Sequence, residues 1–332
     1  MKKIYIILSI ILIGVTVSYA QDPQFTQFYS NPLYQAPSFA GAISGYRVTI
    51  NYRDQWPKMP GILRTANIAA DVNLDVINSG LGVIALRDVA GSVNYSNTYV
   101  GLMYAYNIRF ARRIYLRPAL GVYYNQHSLD HEKMVFASQL YANSDVQPVL
   151  PEEFSNANTM DGSVSLLFTM RNLWIGTCAD HLFRPNIAVT DYDYRYPIKL
   201  TIFGGLRLTK LERLIGIKRQ SVTVAADYRH QGLTDQVDVG LYWNYPPFVI
   251  GMWYRDLPLI KDYPRRDAIA VLLGYNYYSV LLGLISTGSL PGSVDYEIVY
   301  AFDTSREVWF FIADDLGFFI VVVVLLQTIQ TI

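Results

Sequence analysis

Few residues of this 332-residue chain stand at spacings that chemistry requires. His127 and His131 lie four apart, the interval that turns two imidazoles onto one helix face for zinc. The intervening Ser128-Leu129-Asp130 and the end of a strand pattern just before them favour a turn instead. Asp191 and Asp193, alternating with Tyr192 and Tyr194, could offer oxygens to calcium in a loop, but a solvated loop is the simpler reading. Glu152 and Glu153 are adjacent rather than set across a cleft, so they do not form a glycosidase pair. Gly204-Gly205 lacks a phosphate-loop context, and no Gly-x-Ser-x-Gly stands near a histidine partner. The sole cysteine, Cys178, sits in the apolar stretch Leu173-Trp174-Ile175-Gly176-Thr177-Cys178, without an activating neighbour or a partner for an intrachain disulfide. It reads as a small buried or lumen-facing side chain. The expectation is a protein that is not an enzyme, with no catalytic residue, metal site or cofactor.

The elements that would have to position any chemistry are themselves unusual. Basic and acidic side chains balance at 27 each, so no net field attracts nucleic acid or another polyanion. Charged residues make up 16%, against roughly 25% in soluble domains, while 52% are hydrophobic and 14% aromatic, with 27 tyrosines. Disorder is excluded by that composition. Too few charges remain to coat a water-facing surface, and lipid becomes the natural solvent. Residues 1–20 read as a secretory signal: Lys2 and Lys3, the apolar run Ile4 to Val17, then Ser18-Tyr19-Ala20, so that the mature chain would begin at Gln21.

Between Gln21 and Asp315 no apolar run approaches the roughly 20 residues of a spanning helix. A closed β-barrel satisfies both facts, because its strands cross with about 9 to 11 residues and alternate lipid-facing with lumen-facing side chains. The alternation is visible. Val100, Leu102, Tyr104, Tyr106 and Ile108 oppose Tyr99, Gly101, Met103, Ala105 and Asn107. Ile114, Leu116, Pro118, Leu120, Val122 and Tyr124 oppose a face that includes Arg117. Val222, Val224, Ala226 and Tyr228 oppose Ser221, Thr223, Ala225, Asp227 and Arg229. The pattern predicts an all-β protein, a transmembrane antiparallel barrel of about 14 strands over residues 46–302, with Arg117 and Arg229 on the inner face. A polar lumen of that kind could be a plug held by ion pairs or an open channel.

With both ends in the periplasm, the inner turns are short and the outer loops longer, except for the basic connection Thr209–Gln220, which falls inside. Tyr52 and Trp56, Tyr104 and Tyr106, Trp243 and Tyr245, and Trp253 and Tyr254 stand near segment ends and read as interfacial girdles. Residues 21–45 contain Pro23, Pro32 and Pro37, which oppose strand pairing. They are expected to form an irregular, plug-like segment in the lumen or under the periplasmic rim, anchored by Phe25, Phe28, Tyr29 and Phe39.

The opening Gln21-Asp22-Pro23-Gln24-Phe25-Thr26-Gln27-Phe28, then Asn31-Pro32-Leu33 and Pro37-Ser38-Phe39-Ala40-Gly41, resembles the start of the PorP/SprF family. The resemblance continues through Asn51-Tyr52-Arg53-Asp54-Gln55-Trp56-Pro57, Leu116-Arg117-Pro118-Ala119-Leu120-Gly121, Asp180-His181-Leu182-Phe183-Arg184-Pro185-Asn186 and Gly251-Met252-Trp253-Tyr254-Arg255. It implies an outer-membrane barrel of the type IX secretion and gliding machinery of Bacteroidota, without catalytic residues. The implied companions are membrane lipid, other secretion components and, for some relatives, a secreted surface adhesin. The alternative is a pore for small solutes. Residues 303–332 depart from the family pattern. Their run Leu316 to Leu326 is long enough for one strand and is read as an extra strand, a partner-binding segment or a frame-altered tail.

Overall fold

A computed structural model describes residues 22–25, 31–55, 61–130, 133–134, 156–189, 193–208, 220–245, 248–255, 268–277, 280–288, 295–303 and 310–311. Residues 1–21, Phe28, Tyr29, Trp56, His131, Glu152, Glu153, Asp191 and nearly all of the C-terminal extension lie outside them.

Period-2 alternation becomes strand throughout. The chain forms β1 (Tyr46–Gln55), β2 (Ile62–Leu74), β3 (Ser79–Gly91), β4 (Tyr95–Tyr106), β5 (Ile108–Ala111), β6 (Ile114–Ser128), β7 (Ala157–Met170) and β8 (Leu173–Asp180). It continues with β9 (Lys199–Leu208), β10 (Ser221–Gln231), β11 (Thr234–Tyr245), β12 (Phe248–Arg255), β13 (Ala268–Tyr277), β14 (Val280–Gly288), β15 (Asp295–Asp303) and β16 (Phe310–Phe311). Neighbours pair antiparallel from β1 to β15, with β5 prolonging β4 beside β6. The last strand, β15, returns to β1, placing Arg47 opposite Asp303 and Gln55 opposite Asp295, so the ring of 14 strands closes. Closure removes the free edges that lipid could not hydrogen-bond. The two residues of β16 lie parallel to Leu282 and Gly283 of β14, where the pairing of β14 with β15 is interrupted.

Exposure follows the expected phase. On β4 the even residues Val100, Leu102, Tyr104 and Tyr106 are exposed, whereas Gly101, Met103 and Ala105 are buried. On β6, Leu120, Val122 and Tyr124 face out and Arg117, Ala119, Asn125 and His127 face in. Tyr46, Tyr104, Tyr106, Trp243 and Tyr245 are exposed at one end of the belt and Tyr52 and Tyr124 at the other, where amphipathic rings suit the headgroup layer.

Trp253 departs from the girdle reading. It is buried and points inward, because Gly240 stands directly opposite on β11 and a Cβ there would meet the indole at 2.2 Å. The same arrangement recurs at Gly205 opposite Trp174, Gly176 opposite Phe203 and Gly101 opposite Tyr123. Each ring lies across the bare backbone of its glycine partner and fills the lumen wall. His127 also differs from expectation: β6 runs past it, so it is a buried lumenal side chain rather than a turn residue.

Candidate functional site

The lumen is filled from within by the start of the chain. Pro32 and Pro37 each open a short helical turn, since proline's fixed φ suits the first helical position and its missing N–H is not needed there. The first is α1 (Pro32–Gln35) and the second a 3-10 turn, Pro37–Phe39. Leu33 and Ala40 pack against Ala69, Ile84, Met103, Ala105 and Ala119 on the inner faces of β2, β3, β4 and β6. Ala36 packs with Leu167, Cys178 and Phe203, flanked by Phe39 and Trp174. Cys178 is thus a buried wall residue, with its thiol 3.3 Å from Asp180 Oδ1.

At the end of the barrel that carries the short turns, expected above to be the periplasmic one, the segment is held through its main chain. Arg117 Nε donates to Ser38 O at 3.2 Å and its Nη2 donates to Ala40 O. Ser38 N donates to Ser165 Oγ at 2.8 Å, and Gly41 N donates to Asp71 Oδ2 at 2.9 Å. Asp71 in turn receives Arg47 at 2.8 and 3.1 Å, tying the segment to the entry of β1. Gly41 has φ +61°, and Gly80 lies so close that a Cβ on it would stand 2.0 Å from Ala40 O. Only glycine allows both the left-handed turn and that approach.

At the outer end one side chain gathers the contacts. Asp22 is the only charged residue between Gln21 and Tyr46. Its carboxylate accepts from Lys199 Nζ at 2.6 Å, Tyr196 Oη at 2.7 Å and His181 Nε2 at 3.0 Å, while its own N–H donates to Gln231 Oε1 at 3.2 Å. His181 Nδ1 lies 2.5 Å from Asp161 Oδ2, and Lys199 also lies 3.3 Å from Asp180. Asp22 thus joins the ends of β8 and β9 through its carboxylate and β10 through its N–H, and reaches β7 through the contact of His181 with Asp161. Burial opposes the charge on His181, but Asp22 and Asp161 outweigh it and push its pKa up to about 10. For Asp22, burial works toward the neutral acid, and His181 and Lys199 overcome it to hold the group well below the usual carboxylate range.

The next residues are gripped in sequence. Tyr34 Oη donates to Pro23 O, and Arg53 and Arg255 donate to Gln24 O and Gln24 Oε1. Gln35 Nε2 donates to Asp227 Oδ1 at 3.1 Å, and Asp227 and Asp238 flank Arg229. Arg117 and Arg229 therefore stand inside the barrel in different roles, one binding carbonyls and the other paired between two carboxylates.

Of the anchors named from sequence, Phe25 is buried and meets Tyr34 edge to face at 5.0 Å, and Phe39 stacks on Phe203 at 5.2 Å. Phe28 and Tyr29 lie outside the described residues. His127 donates to or accepts from Tyr95 Oη through Nδ1 at 3.0 Å, and Asp193 pairs with Arg195 at 3.3 Å. Sequence reasoning overlooked Asp22, His181 and Lys199. The signal that could have found the first is its isolation as the one charge in a proline-rich segment. Among the described residues a cavity of about 50 Å³ remains between the segment and the wall, beside Asp22, Tyr34, Tyr99, Tyr123, His127 and Lys199. That is room for a water or two, and the arrangement as a whole acts as a latch that seats a self-derived plug.

Known proteins can be set beside this architecture. A search of curated proteins finds no match. Among solved structures the chain is similar to the Ralstonia pickettii toluene transporter TbuX, with 9% identity, TM-score 0.49, and 83% of this chain and 93% of that chain covered. It is also similar to the CymD monoaromatic hydrocarbon channel (10%, TM-score 0.48, 86% and 93%) and to the Acinetobacter baumannii outer membrane protein Omp33 (8%, TM-score 0.42, 77% and 97%). The family described as type IX secretion system membrane protein PorP/SprF matches residues 17–289. That span takes in the plug, its latch and the strands from β1 to β14, and with the sealed, lipid-belted ring it identifies the chain as an outer-membrane barrel belonging to the PorP/SprF family of the type IX secretion system.

Proposed function

We propose that this protein is a non-enzymatic scaffold of type IX export: a plugged barrel that anchors in the outer membrane and supports secretion or surface attachment of cargo, including an adhesin, and through it gliding motility. The observation that carries the reading is the family match over residues 17–289 joined to a lumen occupied by the protein's own residues 22–25 and 31–45. A filled lumen suits an anchor whose loops and rims meet partners better than it suits a conduit for solutes. The lumenal charges Arg117, Lys199, Arg47 and Arg229 are turned toward the plug or toward carboxylates of the wall.

A clean deletion tests the role. The surface and culture-fluid proteomes should lose at least one exported protein or attached adhesin, and complementation should restore it. An unchanged set of exported proteins would remove the proposal. The solute-pore alternative is separated by planar-bilayer recording of the purified barrel: the scaffold reading expects a silent membrane, and steady wild-type conductance would favour the pore.

A further inference from the structure

Many charges of the lumen and of the outer rim have partners, among them Arg47 with Asp71, Arg229 with Asp227, Arg64 with Asp54, Lys133 with Asp130 and Arg195 with Asp193, whereas exposed Arg87 and Arg184 have no side-chain ion pair among the described residues. The inner rim concentrates such groups on joined turns. Arg112 and Arg113 form the turn before β6, Arg171 the turn after β7, and all three are exposed and without a side-chain ion pair among the described residues. The two turns are joined, since Arg171 N donates to Arg113 O at 3.1 Å. Arg109 and Arg207 are exposed on the same arc. Asp75 is the one exposed acid on the described inner turns.

Backbone conformation adds a second observation, which Arg184 on the outer side shares at φ +47°. Arg113 has φ +72° and Arg171 φ +42°. Two-residue hairpin turns favour asparagine or glycine at such positions, because a larger side chain is strained there. The local rule is broken twice, on adjacent turns, by the same cationic residue.

Height in the bilayer identifies the partner chemistry. Met170, next to Arg171, and Leu206 and Leu208, beside Arg207, are exposed on the lipid face. A strand advances about 3.3 Å per residue before tilt, and the polar layer on each side of the hydrocarbon is roughly 5–7 Å thick. Guanidinium groups one or two residues past the last lipid-facing side chain therefore lie in the headgroup layer and project little beyond it. Exposed Phe110, on the same hairpin, supplies an apolar contact at the same edge. We propose that the arginine arc of the inner rim, centred on Arg112, Arg113 and Arg171, binds the phosphates of anionic phospholipids in the inner leaflet, fixing the depth and rotation of the barrel. Guanidinium suits this task because it presents several donors in a plane that matches phosphate oxygens.

The test uses the full-length barrel in neutral detergent, with phosphatidylglycerol or phosphatidylcholine added and retained lipid counted by native mass spectrometry. The wild type should retain phosphatidylglycerol preferentially, with the preference shrinking as salt rises. The combined variant Arg112→Gln, Arg113→Asn, Arg171→Asn should lose about 100-fold in that affinity, from roughly fivefold per basic residue. Asparagine tolerates positive φ, so the same variant should keep or gain thermal stability, which a merely structural role for these arginines would not produce. Equal retention of the two lipids by the wild type, or unchanged preference in the variant, would overturn the proposal. So would displacement by millimolar inorganic phosphate, which would mark a free-anion site. Loss in the variant of a cross-linked acidic periplasmic protein, with lipid retention intact, would assign the arc to a protein partner instead.

Discussion

The two ends of the plug are held by different physics. Outside, the grip is a charged hub in which Asp22 meets Lys199, His181 and Tyr196. Inside, it is a shaped seat in which Arg117, Ser165 and Asp71 reach main-chain atoms of Ser38, Ala40 and Gly41 and two glycine backbones touch. A hub of this kind is specific but brittle, because losing one member strands the rest in a dry interior. The seat is distributed, so its members act through fit and through neutral or singly charged hydrogen bonds. Register is thereby set at the tip and position at the base.

Breaking the hub should have the largest effect. Asp22→Ala leaves Lys199 and His181 facing each other with only Asp180 and Asp161 as counter-charges, and should cost roughly 3 kcal/mol of plug docking. Protease cleavage within residues 22–45 and new conductance in planar bilayers would register the release. An uncleaved, silent barrel would mean that the seat alone holds the plug. Overpacking the seat comes next. Gly80→Ala drives a Cβ into Ala40 O and should cost about 2 kcal/mol, measured as a lower midpoint for loss of heat-resistant electrophoretic mobility. A midpoint equal to wild type would show that the backbone contact is readily relieved.

Arg117→Gln removes the charge-assisted bonds to Ser38 O and Ala40 O while keeping a donor, and should cost about 1 kcal/mol. The loss should add to that of Asp22→Ala if the two ends are independent. A combined loss far from the sum would merge hub and seat into one cooperative unit. The smallest effect is on pH. His181 titrates near 6.5 when free and about 10 when docked, so its contribution is complete below about 6.5 and lost as pH rises through about 10. Asp22 is depressed below 3.8, so its contribution is present above that value and lost as pH falls below it. Plug protection should be greatest between roughly pH 4 and 6.5 and weaken steadily toward pH 10. His181→Asn should flatten the alkaline limb; an unaltered limb would point to another group.

Much of the wall could be read in advance. The alternation of Val100, Leu102 and Tyr104 with Gly101, Met103 and Ala105 placed each residue on its side, because a barrel strand has two solvents and a period of 2. Trp253 was misassigned because aromatic residues serve both a lipid interface and a glycine opposite, and the choice depends on Gly240 thirteen residues earlier and one strand away. The latch was harder still. His181 and Asp22 are 159 residues apart and Lys199 and Asp22 are 177, and no local pattern brings them together.

By itself the sequence determined that this chain dissolves in a membrane as a sealed sheet, which face of each strand meets lipid, and which family its ordered motifs resemble. Those properties are local, arising from hydrophobic period, chain length per crossing and turn chemistry. Only the tertiary structure decided that residues 22–25 and 31–45 lie in the lumen, that Asp22 is their latch and that the inner rim gathers arginines without an ion pair among the described residues. Charge pairing and close approach act between segments far apart in the chain, so they exist only once the ring has closed.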